Sequence, residues 1–139
     1  MPKKAVFLWA LVQEIFGMKE IFLVGLGGGA GSMLRYLVKL SSAKLFSTSF
    51  PLATFSANIL GCLAIGLLMG YLNRNLSLPE SYSLLLITGF CGGFTTFSTF
   101  SAENLQLIQS GQWATALAYI LGSVVLGLGA VFLGIFLMK

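Results

Sequence analysis

The sequence predicts an all-α integral membrane protein of four transmembrane helices, the third of them broken mid-membrane. Three observations predict it. Of the 139 residues, 57% are hydrophobic and 9% charged, too little charge to coat a soluble domain of this size. Four apolar stretches each reach the roughly 20 residues that cross about 30 Å of hydrocarbon as a helix. Within the third, "GFCGGFTTFSTF" (Gly89 to Phe100) crowds Gly89, Gly92 and Gly93 ahead of hydroxyls and phenylalanines. Each glycine disfavours helix by about 1 kcal/mol relative to alanine.

The elements follow in order. Residues 1–17 ("MPKKAVFLWALVQEIFG") have a basic start and an apolar run. Gln13 and Glu14 interrupt that run and no small-x-small cleavage site follows. They read as an interfacial leader or an extension of the first helix, in preference to a cleaved signal. Residues 18–139 form a single four-helix domain. Its first span covers about residues 19–38 and its second about 50–72, with Pro51 in the first turn where its missing N–H costs nothing. The third covers about 81–108, after the polar break "NRNLSLPES" (Asn73 to Ser81). The fourth covers about 113–138, after "QSGQ" (Gln109 to Gln112). Small residues four apart, as in Gly25/Gly29, Gly27/Gly31, Gly66/Gly70 and Ala130/Gly134, let helices approach closely in lipid.

The inventory removes most chemistry. There is no histidine and no aspartate, so a Ser–His–Asp triad, a Cys–His pair and a histidine-based metal site are all unavailable. The chain does not read as an enzyme. Cys62 and Cys91 fall inside apolar spans, where they serve as small hydrophobes. The net charge of +4 is scattered and fits loop ends and lipid headgroups, not nucleic acid.

Four spans put both termini on one side, with Lys3, Lys4, Lys19, Arg74 and Lys139. The other side carries Arg35, Lys39 and Lys44. Without the leader the tally is three against three, and the Lys/Arg bias that sets orientation nearly vanishes. This fits a weakly biased single orientation, or copies that insert both ways and pair head to foot.

In hydrocarbon an unwound segment survives only where it is buried in protein or lines a cavity. A break at the glycines frees carbonyls that suit a small cation; the bland alternative is that the glycines only admit a neighbouring helix. Past them, Thr95, Thr99, Glu103 and Gln106 project as one polar stripe, with Phe97 and Phe100 beside it. Phenylalanines at helical spacing ordinarily pack against core or lipid. Flanked by hydroxyls, their positive ring edges suit a small desolvated anion, held weakly enough to leave. Asn58, mid-way along the second span, is either an amide donor to an anion or a hydrogen bond between helices. Tyr119 and Ser123, four apart, share a face. Arg35 either snorkels to the interface or draws anions into a vestibule.

The stretches "GGGAGSMLRY" (Gly27 to Tyr36), "FSANILG" (Phe55 to Gly61) and "GFCGGFTTFSTFSAE" (Gly89 to Glu103) resemble the Fluc/CrcB fluoride channels, a likeness extending from about Met18 to the C-terminus. The resemblance implies an antiparallel, dual-topology homodimer in the plasma (inner) membrane of a bacterium or archaeon. Its partners would be fluoride, membrane lipids and a second, inverted copy of the chain. Two pores per dimer would export toxic fluoride passively. It further implies a structural Na⁺ at the dimer centre on the backbone carbonyls of Gly92 and Thr95. Phe97 and Phe100 match pore phenylalanines, Asn58 a pore asparagine, and Arg35 a vestibule arginine. Ser98, Thr99, Glu103, Tyr119 and Ser123 match a polar track. Two positions depart from the pattern: Phe94, where an aliphatic residue is expected, and Gly127, where a further hydroxyl can stand.

A rival class is a small four-helix, proton-coupled exporter of cationic drugs. It needs an ionisable carboxylate deep in the bilayer. None of Glu14, Glu20, Glu80 and Glu103 falls at mid-span of a well-defined helix. A non-transporting assembly subunit, using its glycines only for packing, is a further alternative.

Overall fold

The computed structural model describes residues 6–9, 17–45, 48–75 and 79–139. Of the leader, residues 6–9 are helical; the reading of the rest of it, Gly17 apart, falls outside the described residues. Four helical stretches follow, each long and apolar enough to cross a membrane. Helix α1 is Met18–Leu45 and helix α2 is Leu52–Arg74.

The third stretch is composite. It begins as α3 (Ser81–Ser83), widens into a π-helix over Leu84–Cys91, and closes with α4 (Gly92–Phe94). Thr95 and Thr96 then take extended dihedral angles, and α5 (Phe97–Gln109) follows. Helix α6 is Trp113–Leu137. The α5–α6 turn closes on Gly111, whose φ of 78° favours a residue without a Cβ.

Helix α1 continues past the expected end at Val38, through "KLSSAKL", to Leu45. Hydropathy marks only the apolar portion of a helix, and a polar last turn ending in Lys44 suits the negative end of the helix dipole. The other bounds differ from expectation by two residues or fewer.

Glycine decides which helices meet. α1 packs chiefly on the π-helix and α4, and α2 on α6. A Cβ on Gly27 would strike the Leu85 carbonyl, one on Gly31 the Phe90 carbonyl, and one on Gly93 the Gly28 carbonyl. Across the α2–α6 seam, a Cβ on Gly134 would stand 2.6 Å from Leu67 N and 2.7 Å from Leu63 O. Backbone against backbone is the packing that small residues permit in lipid. Gly25 and Gly29, by contrast, have open space where a Cβ would stand.

No span has more than 22% of its most apolar window buried within the chain. The large apolar residues Leu128 and Phe132 point outward. A four-helix unit this thin leaves most of its apolar surface for lipid or a further subunit.

Candidate functional site

The site is built where the third stretch passes through the extended residues Thr95 and Thr96. Its backbone groups need partners, and in this depth of apolar structure water does not supply them. The Thr95 N–H and the Thr95 hydroxyl both donate to the Cys91 carbonyl, each at 3.0 Å. The Gly93 carbonyl accepts from Arg35 Nε at 3.1 Å and from the Ser32 hydroxyl at 3.3 Å. Asn58 serves Thr96 at both ends: its Oδ1 accepts the Thr96 N–H at 2.8 Å, and its Nδ2 donates to the Thr96 carbonyl at 3.2 Å. Thr96 in turn caps α5, its Oγ1 accepting the Thr99 N–H at 3.3 Å. Threonine at a helix N-cap satisfies a donor that has no partner within the helix.

Two clefts share Thr96 as a wall residue. The first, of about 310 Å³, is lined by Arg35, Lys39, Thr54, Thr96 and Thr99, with Ser32, Tyr36 and Ala53 completing its wall. The second, of about 260 Å³, is lined by Asn58, Thr95, Thr96, Phe97, Phe100 and Ser123, backed by Cys62 and Val124. Among the described residues no carboxylate lines either one. The rings of Phe97 and Phe100 stand 5.7 Å apart, and Phe97 is 79% exposed on the single chain. Ser123 Oγ is buried without a hydrogen-bond partner, so its hydroxyl is free to donate to a small guest.

Glu103 lies behind the clefts. Its carboxylate accepts from the Thr54 hydroxyl and from the Tyr119 hydroxyl, each at 2.8 Å. Tyr119 is fully buried, with its ring packed on Phe50, Phe55 and Phe100.

Of the residues singled out in the sequence, Asn58, Phe97, Phe100 and Ser123 therefore converge on one cleft, while Arg35 and Thr99 share the other. Ser98 lies on the exposed side, 3.3 Å from the Thr96 hydroxyl. Tyr119 and Glu103 bond to each other and line neither cleft. The expected polar stripe begins at Thr99, because Thr95 sits outside α5 in extended backbone. Three participants were not singled out: Ser32, Thr54 and Thr96. Ser32 and Arg35 are three apart on one helix face, a signal present in the sequence; Thr54 has no comparable local signature.

Fold and site together define a small multi-pass membrane protein with two clefts lined between them by hydroxyls, an amide and two aromatic rings. A family model described as "CrcB-like protein, Camphor Resistance (CrcB)" matches residues 22–135, and the chain belongs to that family. It is 52% identical over 122 residues to the "Fluoride-specific ion channel FluC" of Flavobacterium psychrophilum, covering 88% of this chain and 98% of the relative. It is 50% identical over 117 residues to the protein of the same name from Azobacteroides pseudotrichonymphae, covering 84% and 94%. The Chloroflexus aurantiacus protein of that name is 48% identical over 118 residues, covering 85% and 94%.

Proposed function

We propose that the chain is a fluoride-selective ion channel of the bacterial inner membrane, giving passive, electrogenic export of fluoride from the cytoplasm. The observation that carries this is the pair of clefts that share Thr96 as a wall residue, lined by hydroxyls, an amide and two phenylalanines, with no carboxylate among the described lining residues. The near full-length likeness to proteins named fluoride-specific channels supports the choice of ion.

Fluoride is small and accepts strong hydrogen bonds, so narrow spacing of hydroxyl donors replaces its water better than chloride's. Ser123 offers an unengaged hydroxyl, and Phe97 and Phe100 offer ring edges that attract an anion without a fixed charge to trap it. Ser98 and Thr99 continue the donors on α5. Glu103 and Tyr119 act one step back: the carboxylate fixes the Thr54 and Tyr119 hydroxyls, and Tyr119 supports the Phe100 ring at 4.9 Å.

The third stretch is proposed to be a transmembrane helix interrupted at Thr95 and Thr96. The working unit is proposed to be an antiparallel, dual-topology homodimer with two ion paths. Balanced loop charges and the outward exposure of Phe97 beside the path support a second copy completing the wall. A structural Na⁺ fits between the copies on the carbonyls of Gly92 and Thr95. Cys91, Gly93 and Thr96 carbonyls have side-chain donors, whereas no side chain of the described residues donates to Gly92 or Thr95. Neutral carbonyl oxygens suit a hard monovalent cation, and among the described residues no cluster of His, Cys, Asp or Glu offers a rival metal site. When bound, the ion supplies a fixed positive charge between the two interrupted helices.

Efflux from proteoliposomes, with fluoride and chloride compared side by side, tests the reading. Rapid, electrogenic flux of fluoride over chloride without a proton gradient is expected. Flux that requires a proton gradient points to an exporter, and no flux of either anion to an assembly subunit.

A further inference from the structure

The Arg35 cleft does not end at Arg35. Lys39, one helical turn further along α1 and on the same face, lines that cleft and also a second hollow of about 170 Å³. The outer hollow is walled by Lys39, Ser42, Thr48, Phe50 and Pro51, from the last turns of α1 and the approach to α2. Lys39 is thus common to both walls. No carboxylate lines either space among the described residues, so the ammonium meets no neutralising partner among those walls.

The two cations are not equivalent. Arg35 is half-buried, with its Nε committed to the Gly93 carbonyl at 3.1 Å. That bond fixes the guanidinium in place at the inner end. Lys39 is exposed, on a flexible stem with a strongly hydrated head. A mobile outer cation followed by a fixed inner one draws an anion inward in two steps. Cations grouped in a concave, low-dielectric wall raise the local anion concentration and the rate of arrival.

We infer that Lys39 is the outer station of a two-cation capture site for small hydrated monovalent anions, handing them to Arg35 and the Thr99 hydroxyl, whose oxygen accepts from Thr96 and whose proton faces no acceptor among the described residues. This rests on the channel reading and adds to it a residue that governs arrival, not selectivity. Lys39 is a capture residue: its charge matters, and its contacts with the helices do not.

The experiment uses the full chain in liposomes of neutral lipid, with fluoride efflux measured for the unmodified protein, Lys39→Gln and Lys39→Arg. Each is assayed at an ionic strength of about 0.01 M and of about 1 M, made up with an impermeant electrolyte; the screening length falls from about 30 Å to about 3 Å between them. Lys39→Gln is expected to lower flux about threefold or more at low ionic strength and to match the unmodified protein at high ionic strength. Lys39→Arg keeps the charge and is expected to keep the flux at both. The fluoride-to-chloride preference should be the same in all three.

Unchanged flux of Lys39→Gln at low ionic strength overturns the inference. So does an equal loss at both ionic strengths that arginine does not restore, because that pattern marks a packing role. Absence of fluoride flux from the unmodified protein overturns the channel reading itself, and this inference with it. A loss confined to Lys39→Gln, with robust flux from the other two, supports both.

Discussion

Asn58 holds Thr96 by both ends of its amide, Oδ1 on the N–H at 2.8 Å and Nδ2 on the carbonyl at 3.2 Å. The side chain thereby replaces the backbone pairing that Thr96 gives up on becoming extended. Of the two functions weighed for Asn58, this is the bond between helices; donation to an anion is the role proposed for the second Nδ2–H. The amide bonds α2 to the third stretch while lining the cleft of Phe97 and Phe100.

Asn58→Ala removes both bonds and leaves a half-buried N–H and carbonyl unpaired, at a cost of about 1–3 kcal/mol each. The expected outcome is a lowered melting temperature in detergent together with reduced fluoride flux. Asn58→Asp retains the acceptor for the Thr96 N–H, so it should melt above Asn58→Ala. It also places a negative charge on an anion path and should abolish flux. Unaltered transport in Asn58→Asp would remove Asn58 from the path.

The two phenylalanines separate conduction from folding. Phe97 is 79% exposed on the single chain, so Phe97→Ile should change the stability of the single chain's fold by no more than about 0.5 kcal/mol. Loss of a ring edge worth about 0.5–1.5 kcal/mol corresponds to a drop in flux of about two- to thirteenfold. Phe100→Ile also loses the edge contact with Tyr119 at 4.9 Å and should lower both flux and melting temperature. Wild-type flux in both variants, measured by efflux from proteoliposomes, would count against the rings.

Gly31 and Gly25 make a contrasting pair. A Cβ on Gly31 meets the Phe90 carbonyl and stands 2.7 Å from Phe94 N, whereas one on Gly25 meets nothing within 4 Å of it in the chain. Backbone cannot yield as a side-chain tip does, so Gly31→Ala should cost about 1–3 kcal/mol, read as a shift in thermal unfolding. Gly25→Ala should leave the fold of the single chain intact, and any loss it causes should appear in subunit association measured by cross-linking.

Opposed pairing is tested through orientation. Lysines added to the Gln109–Gln112 turn bias insertion one way. Alone, such a variant should lose fluoride flux; co-expressed with a copy biased the other way, it should regain it. Full activity of the biased copy by itself refutes the antiparallel dimer.

The sequence by itself determined the membrane class and the four spans, because length and apolar content alone decide what crosses a bilayer. The segment proposed to carry the function stood out as well, since glycines followed by hydroxyls and rings are a local pattern. Its extended residues, however, are Thr95 and Thr96, whereas Gly89, Gly92 and Gly93 stay helical. The end of α1 was not legible, because its last seven residues are polar helix beyond the reach of hydropathy. Nor was the π-helix over Leu84–Cys91, in which the Gly92 N–H reaches back five residues to the Ile87 carbonyl; Thr88 is its one polar side chain, so no period marks it. Only the tertiary structure decided that Gly27 and Gly31, and not Gly25 and Gly29, carry α1 against the third stretch. It also decided that Glu103 turns to Thr54 and Tyr119, and that Ser32 and Arg35 close on the Gly93 carbonyl. Spacing along a helix fixes which residues share a face. Which partner that face meets depends on how closely two backbones approach, and that distance is set by all four helices at once.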